Sequence, residues 1–392
     1  MKEVQAIIEA FEKSNKDGST TALATVIEVR GSTYRRPGAR MLVTQGGLTV
    51  GSISGGCLEA DVFERAQQVM TSGESTVVTY DTTSPDDIVW GLGLGCNGLI
   101  RVLIERLTHS CYANQITFLA DCLQSRQQGV IATIVRMEGQ VQEQVGTRLM
   151  LSEDGNVSES IKDSALAEDM LKDAKAAQRT HRSVLKLYQL PLGTAEVFIE
   201  VIQPPVSLAI FGAGHDAIPV VHFAKGLGWH VTVVDSRQSD ATKERFSLAD
   251  AIVFSRPENI QEHLTVDQHT VAVVMTHNYL HDLKLLEMLL PSPWRYLGVL
   301  GPLSRTERLL EELSAAGVVP TSEQLLKLYG PVGLDIGADT PEAIALAIVA
   351  EIQAVLANRS GGLLRDRREP IHNRADEQKF HISSLTEQGV VA

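Results

Sequence analysis

The sequence predicts an α/β protein in two parts, an N-terminal mixed α+β domain followed by a C-terminal doubly wound parallel sheet. Three observations predict it. Up to about residue 202, β-branched runs and amphipathic helical stretches are interleaved. Two adjacent prolines, Pro204 and Pro205, then break the pattern where neither a helix nor a central strand tolerates them. Beyond them five short apolar runs, SLAIFGAG, WHVTVVD, ADAIVF, TVAVVMT and RYLGVLG, alternate with helical spacers, as parallel strands buried on both faces do. The domains read as 1–202 and 203–358, with a tail at 359–392.

The elements follow in order. Val4, Ile7, Ile8 and Phe11 recur at helical spacing and predict a helix over residues 2–14. TALATVIEV (21–29) and ARMLVT (39–44) read as strands flanking an arginine-rich loop. GSISGGC (51–57) is a glycine-rich turn opening the helix LEADVFERAQQVM. STVVTYD (75–81) and LIRVLIERL (99–107) read as strands around a second glycine-rich loop, GLGLGCNG (91–98). A further helix and strand reach residue 137. The polar stretch 138–180 holds one helix near 163–178, and the strands SVLKLYQ and AEVFIEVI close this half. No internal repeat is evident. In the second half, Thr340 and Pro341 make a helix N-cap and first helical position. The tail carries Gly361, Gly362 and a basic run (Arg365, Arg367, Arg368), and is expected to be partly disordered.

Composition narrows the function classes. The 392 residues hold 35 Lys+Arg against 48 Asp+Glu, a formal charge of −13. That balance argues against nucleic-acid or anionic-membrane partners, which need a broad basic footprint. Four cysteines with no CxxC spacing indicate neither a zinc site nor a thioredoxin-type motif, and fit a reducing cytoplasm. The N-terminus MKEVQAIIEAFEKS lacks the pattern of a signal peptide, and the apolar stretch Ala343–Ala350 is far too short to span a bilayer. The expectation is a soluble, cytoplasmic protein.

Two sets of residues are candidates for chemistry. In LAIFGAGHDA, Gly212-x-Gly214-x-x-Ala217 follows a strand and opens a helix, the Rossmann-like fingerprint in which glycines allow a tight turn and close approach of a pyrophosphate. His215 lies within it. Asp235 ends the next strand, where a carboxylate accepts from ribose hydroxyls and repels a 2′-phosphate, so NAD suits the crevice better than NADP. The competing reading is that these glycines serve packing alone. His277 lies just past the fourth strand, at the edge that faces the crevice; it is a crevice polar group, a substrate contact or, with His281, a metal ligand. In GPVGLDIGADTPE, Asp335 and Asp339 lean towards capping or hydroxyl recognition rather than anion binding.

The second set lies in the N-terminal half. RGSTYRRPGAR places Arg30, Arg35, Arg36 and Arg40 in eleven positions of an acidic chain, which suits a multiply charged anion. Cys57 and Cys96 each sit in glycine-rich backbone. A thiol at a helix start is acidified by helix amides and becomes a nucleophile or soft-metal ligand; inert burial is the alternative. Cys111 and Cys122 read as inert.

The combination of EVRGSTYRRPGARMLV, GSISGGCLEADV, GLGCNG, FGAGHDA, VVDSR, VMTHNYLHD, GPLSRTERLL and GLDIGADTPEAIALAIVAEI resembles the xanthine dehydrogenase accessory family of XdhC/CoxI type, up to about residue 365. The resemblance implies a molybdenum cofactor chaperone rather than an enzyme. Such a protein binds the mature molybdopterin cofactor as cargo, keeps it for sulfuration by a cysteine desulfurase and assists insertion into a molybdenum hydroxylase such as xanthine dehydrogenase. It further implies a homo-oligomer, commonly a dimer. On this reading Arg35, Arg36 and Arg40 hold the anionic parts of the cofactor, and Cys57 and Cys96 flank its molybdenum end. The alternatives are an NAD-dependent oxidoreductase using Gly212, Gly214, Asp235 and His277, and an interaction protein for the apo-dehydrogenase that touches no cofactor.

Overall fold

The structure is a computed structural model and describes residues 2–31, 33–81, 98–107, 114–140, 142–264, 267 and 269–368. Cys96, Cys111, most of the 91–98 loop and the tail beyond 368 lie outside the described residues. The chain divides into two compact units, Glu3–Pro204 and Pro205–Arg368.

The first unit contains two five-stranded antiparallel sheets. The first is built from β1 (Thr21–Gly31), β2 (Arg40–Thr44), β3 (Thr49–Gly51), β4 (Thr76–Asp81) and β5 (Gly98–Leu107), in the order β3-β2-β1-β5-β4. The second is built from β6 (Gly129–Gly139), β7 (Arg148–Ser152), β8 (Val157–Glu159), β9 (Val184–Leu190) and β10 (Gly193–Ile202), in the order β8-β7-β6-β10-β9. The two orders are the same. Helix α1 (Lys2–Lys16) precedes the first sheet and α3 (Gln115–Ser125) the second; α2 (Glu59–Ser72) and α4 (Ser164–Thr180) fall at matching places between strands. The expectation of no internal repeat is therefore wrong: the topology contains one.

Strand periodicity explains the layers. On β1, Ala22, Ala24 and Val26 share a core with Leu58, Val62 and Ala66, so this face packs on α2. On β6, Val130, Ala132 and Ile134 pack likewise with Leu166, Met170 and Ala174 of α4. The opposite faces meet each other: Leu23, Leu42 and Leu107 share a core with Ile131, Met150 and Ile202, and Ile27 and Leu103 with Val135 and Phe198. The unit is thus layered helix, sheet, sheet, helix. The short strands β7 and β8 lie in the stretch read from sequence as polar with one helix.

The second unit is an all-parallel sheet. Its strands are β11 (Ser207–Phe211), β12 (His230–Asp235), β13 (Ala251–Phe254), β14 (Thr270–Val274), β15 (Tyr296–Val299) and the two-residue β16 (Leu328–Tyr329), in the order β13-β12-β11-β14-β15-β16. The five apolar runs became five strands, and the sixth is too short to leave a pattern. Between them run α5 (Ala217–Gly226), α6 (Asp240–Arg245), α7 (Tyr279–Leu289), α8 (Leu303–Ala315) and α9 (Ser322–Leu326), and α10 (Pro341–Leu356) follows the last strand. Thr340 caps α10 by accepting from the Ala343 amide at 3.2 Å, with Pro341 first in the helix as expected. The chain leaves β11 towards β12 on one side and returns as β14 on the other, which opens a crevice at the C-terminal ends of these strands. Among the described residues no helix is long and apolar enough to cross a membrane.

Gly212, at the tip of β11, has φ +124°, and a Cβ there would lie 2.4 Å from the Met275 carbonyl oxygen on the neighbouring strand end. Both strain and overlap oppose any side chain. Gly212→Ala is expected to destabilise the second unit by roughly 2–4 kcal/mol, read as a lowered denaturant midpoint for that unit alone.

Candidate functional site

The arginine loop leaves β1 and returns into β2. Its close is held by backbone bonds: the Gly38 amide donates to Val26 at 2.8 Å, the Val26 amide to Ala39 at 2.9 Å and the Ala39 amide to Arg36 at 3.0 Å. Gly38 has φ +91°, the left-handed region glycine favours. The ring of Tyr34, largely exposed, lies 3.7 Å from where a Cβ on Gly55 would stand. Tyr34 therefore rests on the turn that leads to Cys57. Two motifs twenty residues apart in sequence, one with guanidinium groups and one with a thiol, meet here.

The arginines have different surroundings. Arg30 pairs with Glu28 at 2.6 Å near the surface. Arg35, half-buried, pairs with Glu3 of α1. Arg36 is half-buried and its carbonyl closes the loop. Arg40 points inward: its guanidinium, 3% exposed, meets Glu200 of β10 at 2.8 and 2.5 Å and the Gly38 carbonyl at 2.8 Å. Sequence spacing alone placed Arg40 with the others; its partner lies 160 residues on and left no local signal.

The thiol turn is organised by Ser54 and Glu59. The buried Ser54 hydroxyl accepts from the amides of Gly56, Cys57 and Leu58, each at 3.2 Å, and donates to the Glu59 carboxylate. Glu59 also accepts from the Ser52 hydroxyl at 3.0 Å and the Ser54 amide at 2.9 Å. Ser54 thus closes the turn that leads into α2, whose N-cap Leu58 has no side-chain cap. The amides of Cys57 and its two neighbours are directed at Ser54, and the Cys57 thiol itself donates to Ser54 Oγ at 3.4 Å. Neither Ser54 nor Glu59 stands out in the sequence; the S-x-x-x-x-E spacing is longer than a standard capping box. Burial raises the Glu59 carboxyl, but the Ser54 and Ser52 hydrogen bonds outweigh it and hold the group below its ordinary value. Cys122 is inert as expected: it is buried, and that burial pushes its thiol up to about 12.

In the second unit, Gly212, Gly214, Asp235 and His277 line one cavity of about 450 Å³ together with Ser236, Arg237, Ser255 and His281. His215 is exposed beside it. Asp235, nearly buried, accepts from the Arg237 amide at 3.2 Å. His277 adopts φ +56° and its Nε2 lies 2.8 Å from Asp216. A Cβ on Gly214 would lie 2.4 Å from the Asp216 carboxylate. Gly214 thus leaves room for that carboxylate, which holds His277. Among the described residues no three His, Cys, Asp or Glu side chains gather as a metal site.

Comparison with known proteins agrees with this division. The XdhC Rossmann domain matches residues 208–352, and the XdhC and CoxI family matches residues 15–81 and again 122–189. Over 337 residues the chain is 36% identical to a probable xanthine dehydrogenase subunit of Bacillus subtilis, covering 86% of this chain and 93% of the relative. The chain belongs to the XdhC and CoxI family. A further family resemblance, 23% identity over 339 residues, covering 86% of this chain and 84% of the relative, is to the molybdenum cofactor insertion chaperone PaoD of Escherichia coli. A crystal structure of a xanthine dehydrogenase from Bacillus halodurans superposes with a TM-score of 0.72 at 30% identity, over 90% of this chain and 96% of that one. The N-terminal family match falls on the segments that carry the arginine loop and Cys57.

Two outcomes follow for this site. Because the folded Glu59 carboxyl lies below its ordinary 4.5, its stabilisation is complete above that value and is lost as pH falls through the lowered one. Glu59→Gln is expected to cost about 1 kcal/mol at pH 7, with the wild type and variant denaturation midpoints converging in acid. In alkylation of the native protein at pH 8, read by peptide mass spectrometry, half-buried Cys57 is expected to be modified while Cys122 is protected until unfolding.

Proposed function

We propose that the protein is a molybdenum cofactor chaperone. It binds the cofactor as cargo, holds it for sulfuration by a cysteine desulfurase and assists its insertion into a molybdenum hydroxylase of the xanthine dehydrogenase kind. A cytoplasmic homodimer belongs to the same reading. What carries it is the meeting of the arginine loop with the Cys57 turn through Tyr34 and Gly55. The cargo has an anionic phosphate at one end and a metal–sulfur centre at the other. Guanidinium forks suit the first and a thiol suits the second.

Within this reading Arg35 and Arg36 contact the anionic groups, Arg40 fixes the loop that carries them, and Cys57 with Cys96 stands beside the molybdenum. Tyr34 offers a flat exposed ring to the pterin. The names of the relatives point the same way, one as a molybdenum cofactor insertion chaperone and one as part of a probable xanthine dehydrogenase. The second unit's cavity is read as a site for a small polar ligand, since Asp235, Ser236, Ser255 and His277 line it.

The test is binding of molybdenum cofactor, freshly released from a molybdenum hydroxylase, to anaerobically purified protein. Wild type is expected to bind about one cofactor per chain and to activate the apo-hydroxylase. Arg35→Ala/Arg36→Ala and Cys57→Ser are expected to weaken binding at least tenfold with unchanged thermal midpoints. Folded variants that bind as wild type does, or a wild-type protein that takes NAD and no cofactor, would overturn the reading.

A further inference from the structure

The repeat in the first unit extends to single residues. Thr25 faces Arg40 across β1 and β2, and Thr133 faces Arg148 across β6 and β7. Along one constant offset, Gly38 corresponds to Gly146, Arg40 to Arg148, Ser52 to Ser160, Leu58 to Leu166 and Val62 to Met170. The loop bonds repeat as well: the Gly146 amide donates to Ile134 and the Ile134 amide to Thr147, both at 2.9 Å, and the Thr147 amide to Gln144 at 3.1 Å. The same family description matches once on each copy.

The two copies exchange their buried charges. Arg40 of the first copy pairs with Glu200 on β10 of the second; Arg148 of the second pairs with Glu105 on β5 of the first. All four side chains are 9% exposed or less. Each arginine also reaches back to its own loop, Arg40 to the Gly38 carbonyl and Arg148 to the Gly146 carbonyl, at 2.8 and 2.9 Å. This reciprocity is that of an isologous contact, made here within one chain.

The copies differ where chemistry is at stake. The place of Arg35 is taken by Glu143, which turns inward and accepts from the amides of Lys162 and Asp163 ahead of α4 at 2.6 and 3.0 Å. Gln144 stands for Arg36, and Ala165 for Cys57. In the second copy the loop ties down its own helix. In the first copy Glu59, on the helix, makes that tie, and the loop is released to carry arginines.

We propose that only the first copy keeps a ligand loop, and that Glu200, supplied by the second copy, is its positioning residue. Glu200 fixes Arg40, which fixes Gly38. Its Oε1 would lie 2.6 Å from a Cβ on Gly38, so the carboxylate sits against the loop at that glycine. The matched carboxylate Glu105 does the same service for a loop that binds nothing. This inference rests on the arginine loop being the cargo site.

The pseudo-symmetry supplies its own control. In hydrogen exchange, Glu200→Gln is expected to speed amides of residues 33–39 about tenfold, and Glu105→Gln those of 142–147. Affinity for released molybdenum cofactor is expected to fall about tenfold in Glu200→Gln alone. A merely structural carboxylate would move both affinities together, so equal losses overturn the proposal, as does unchanged exchange at 33–39 in Glu200→Gln. Faster exchange there with wild-type affinity removes the loop as the cargo site while the positioning role stands. Should Glu200→Gln not fold, Glu200→Asp, which keeps the charge and withdraws it by one methylene, is expected to give the same asymmetry in milder form, and its absence overturns the proposal.

Discussion

The exchanged pair of arginines and glutamates is the constraint on which the first unit depends. Arg40 and Arg148 open the second strand of each sheet, and both are turned into the layer between sheets. Burying a guanidinium and a carboxylate is costly, and their attraction offsets that cost only with good geometry and further hydrogen bonds. The geometry is good: Arg40 is met by two carboxylate oxygens and a carbonyl, with its Nε alone left without a partner among the described residues, and Glu105 is also bonded by Gln115 at 2.6 Å. Removing either partner would leave the other charge buried, a loss of about 3–5 kcal/mol. A one-residue slip of β2 against β1 would turn Arg40 to the opposite face and Leu42 away from its core. The pairs therefore fix register as well as the contact between the sheets.

This arrangement explains which parts of the molecule sequence reveals. The parallel sheet is legible because its strands are continuous apolar runs between helices, and Thr340-Pro341 announces α10 through local capping chemistry. The arginine and cysteine motifs are legible as motifs. The repeat is hidden because its matched core positions are interchangeable aliphatics, Leu42 against Met150 or Val62 against Met170. Each satisfies the same packing need, so identity is lost while pattern persists. The strands β7 and β8 hide in the polar stretch because one is five residues long and the other three and fully exposed. The inward turn of Arg40 is set by a tertiary partner that no window of sequence contains.

In the second unit the fingerprint glycines also have reasons within the fold. Gly212 is required by the neighbouring strand end, since a Cβ would strike the Met275 carbonyl. Gly214 gives room to the Asp216 carboxylate, which in turn holds His277. Backbone packing and a protein carboxylate thus both call for glycine here. A fold of this kind keeps its crevice whatever occupies it, and here the crevice retains a polar lining of Asp235, Ser236, Ser255 and His277.

Duplication within one chain also permits what a true two-fold dimer forbids. Arg101 on β5 and Glu196 on β10 occupy matched places in the two copies, and they pair with each other at 2.7 Å. In a dimer of identical chains equivalent positions carry the same residue, and like charges would meet there. Joined copies are free to diverge, so one site can take the cation and its mate the anion. The same freedom separates Arg35 from Glu143 and Cys57 from Ala165. One copy keeps its loop bound to its helix and supplies a rigid wall; the other uses its loop to present cations already matched by carboxylates such as Glu3 and Glu28. If the loop takes an anionic cargo, as proposed, this matching has a use. An arriving anion exchanges with a protein carboxylate rather than filling an unpaired field, so the net gain is moderate and the exchange reversible.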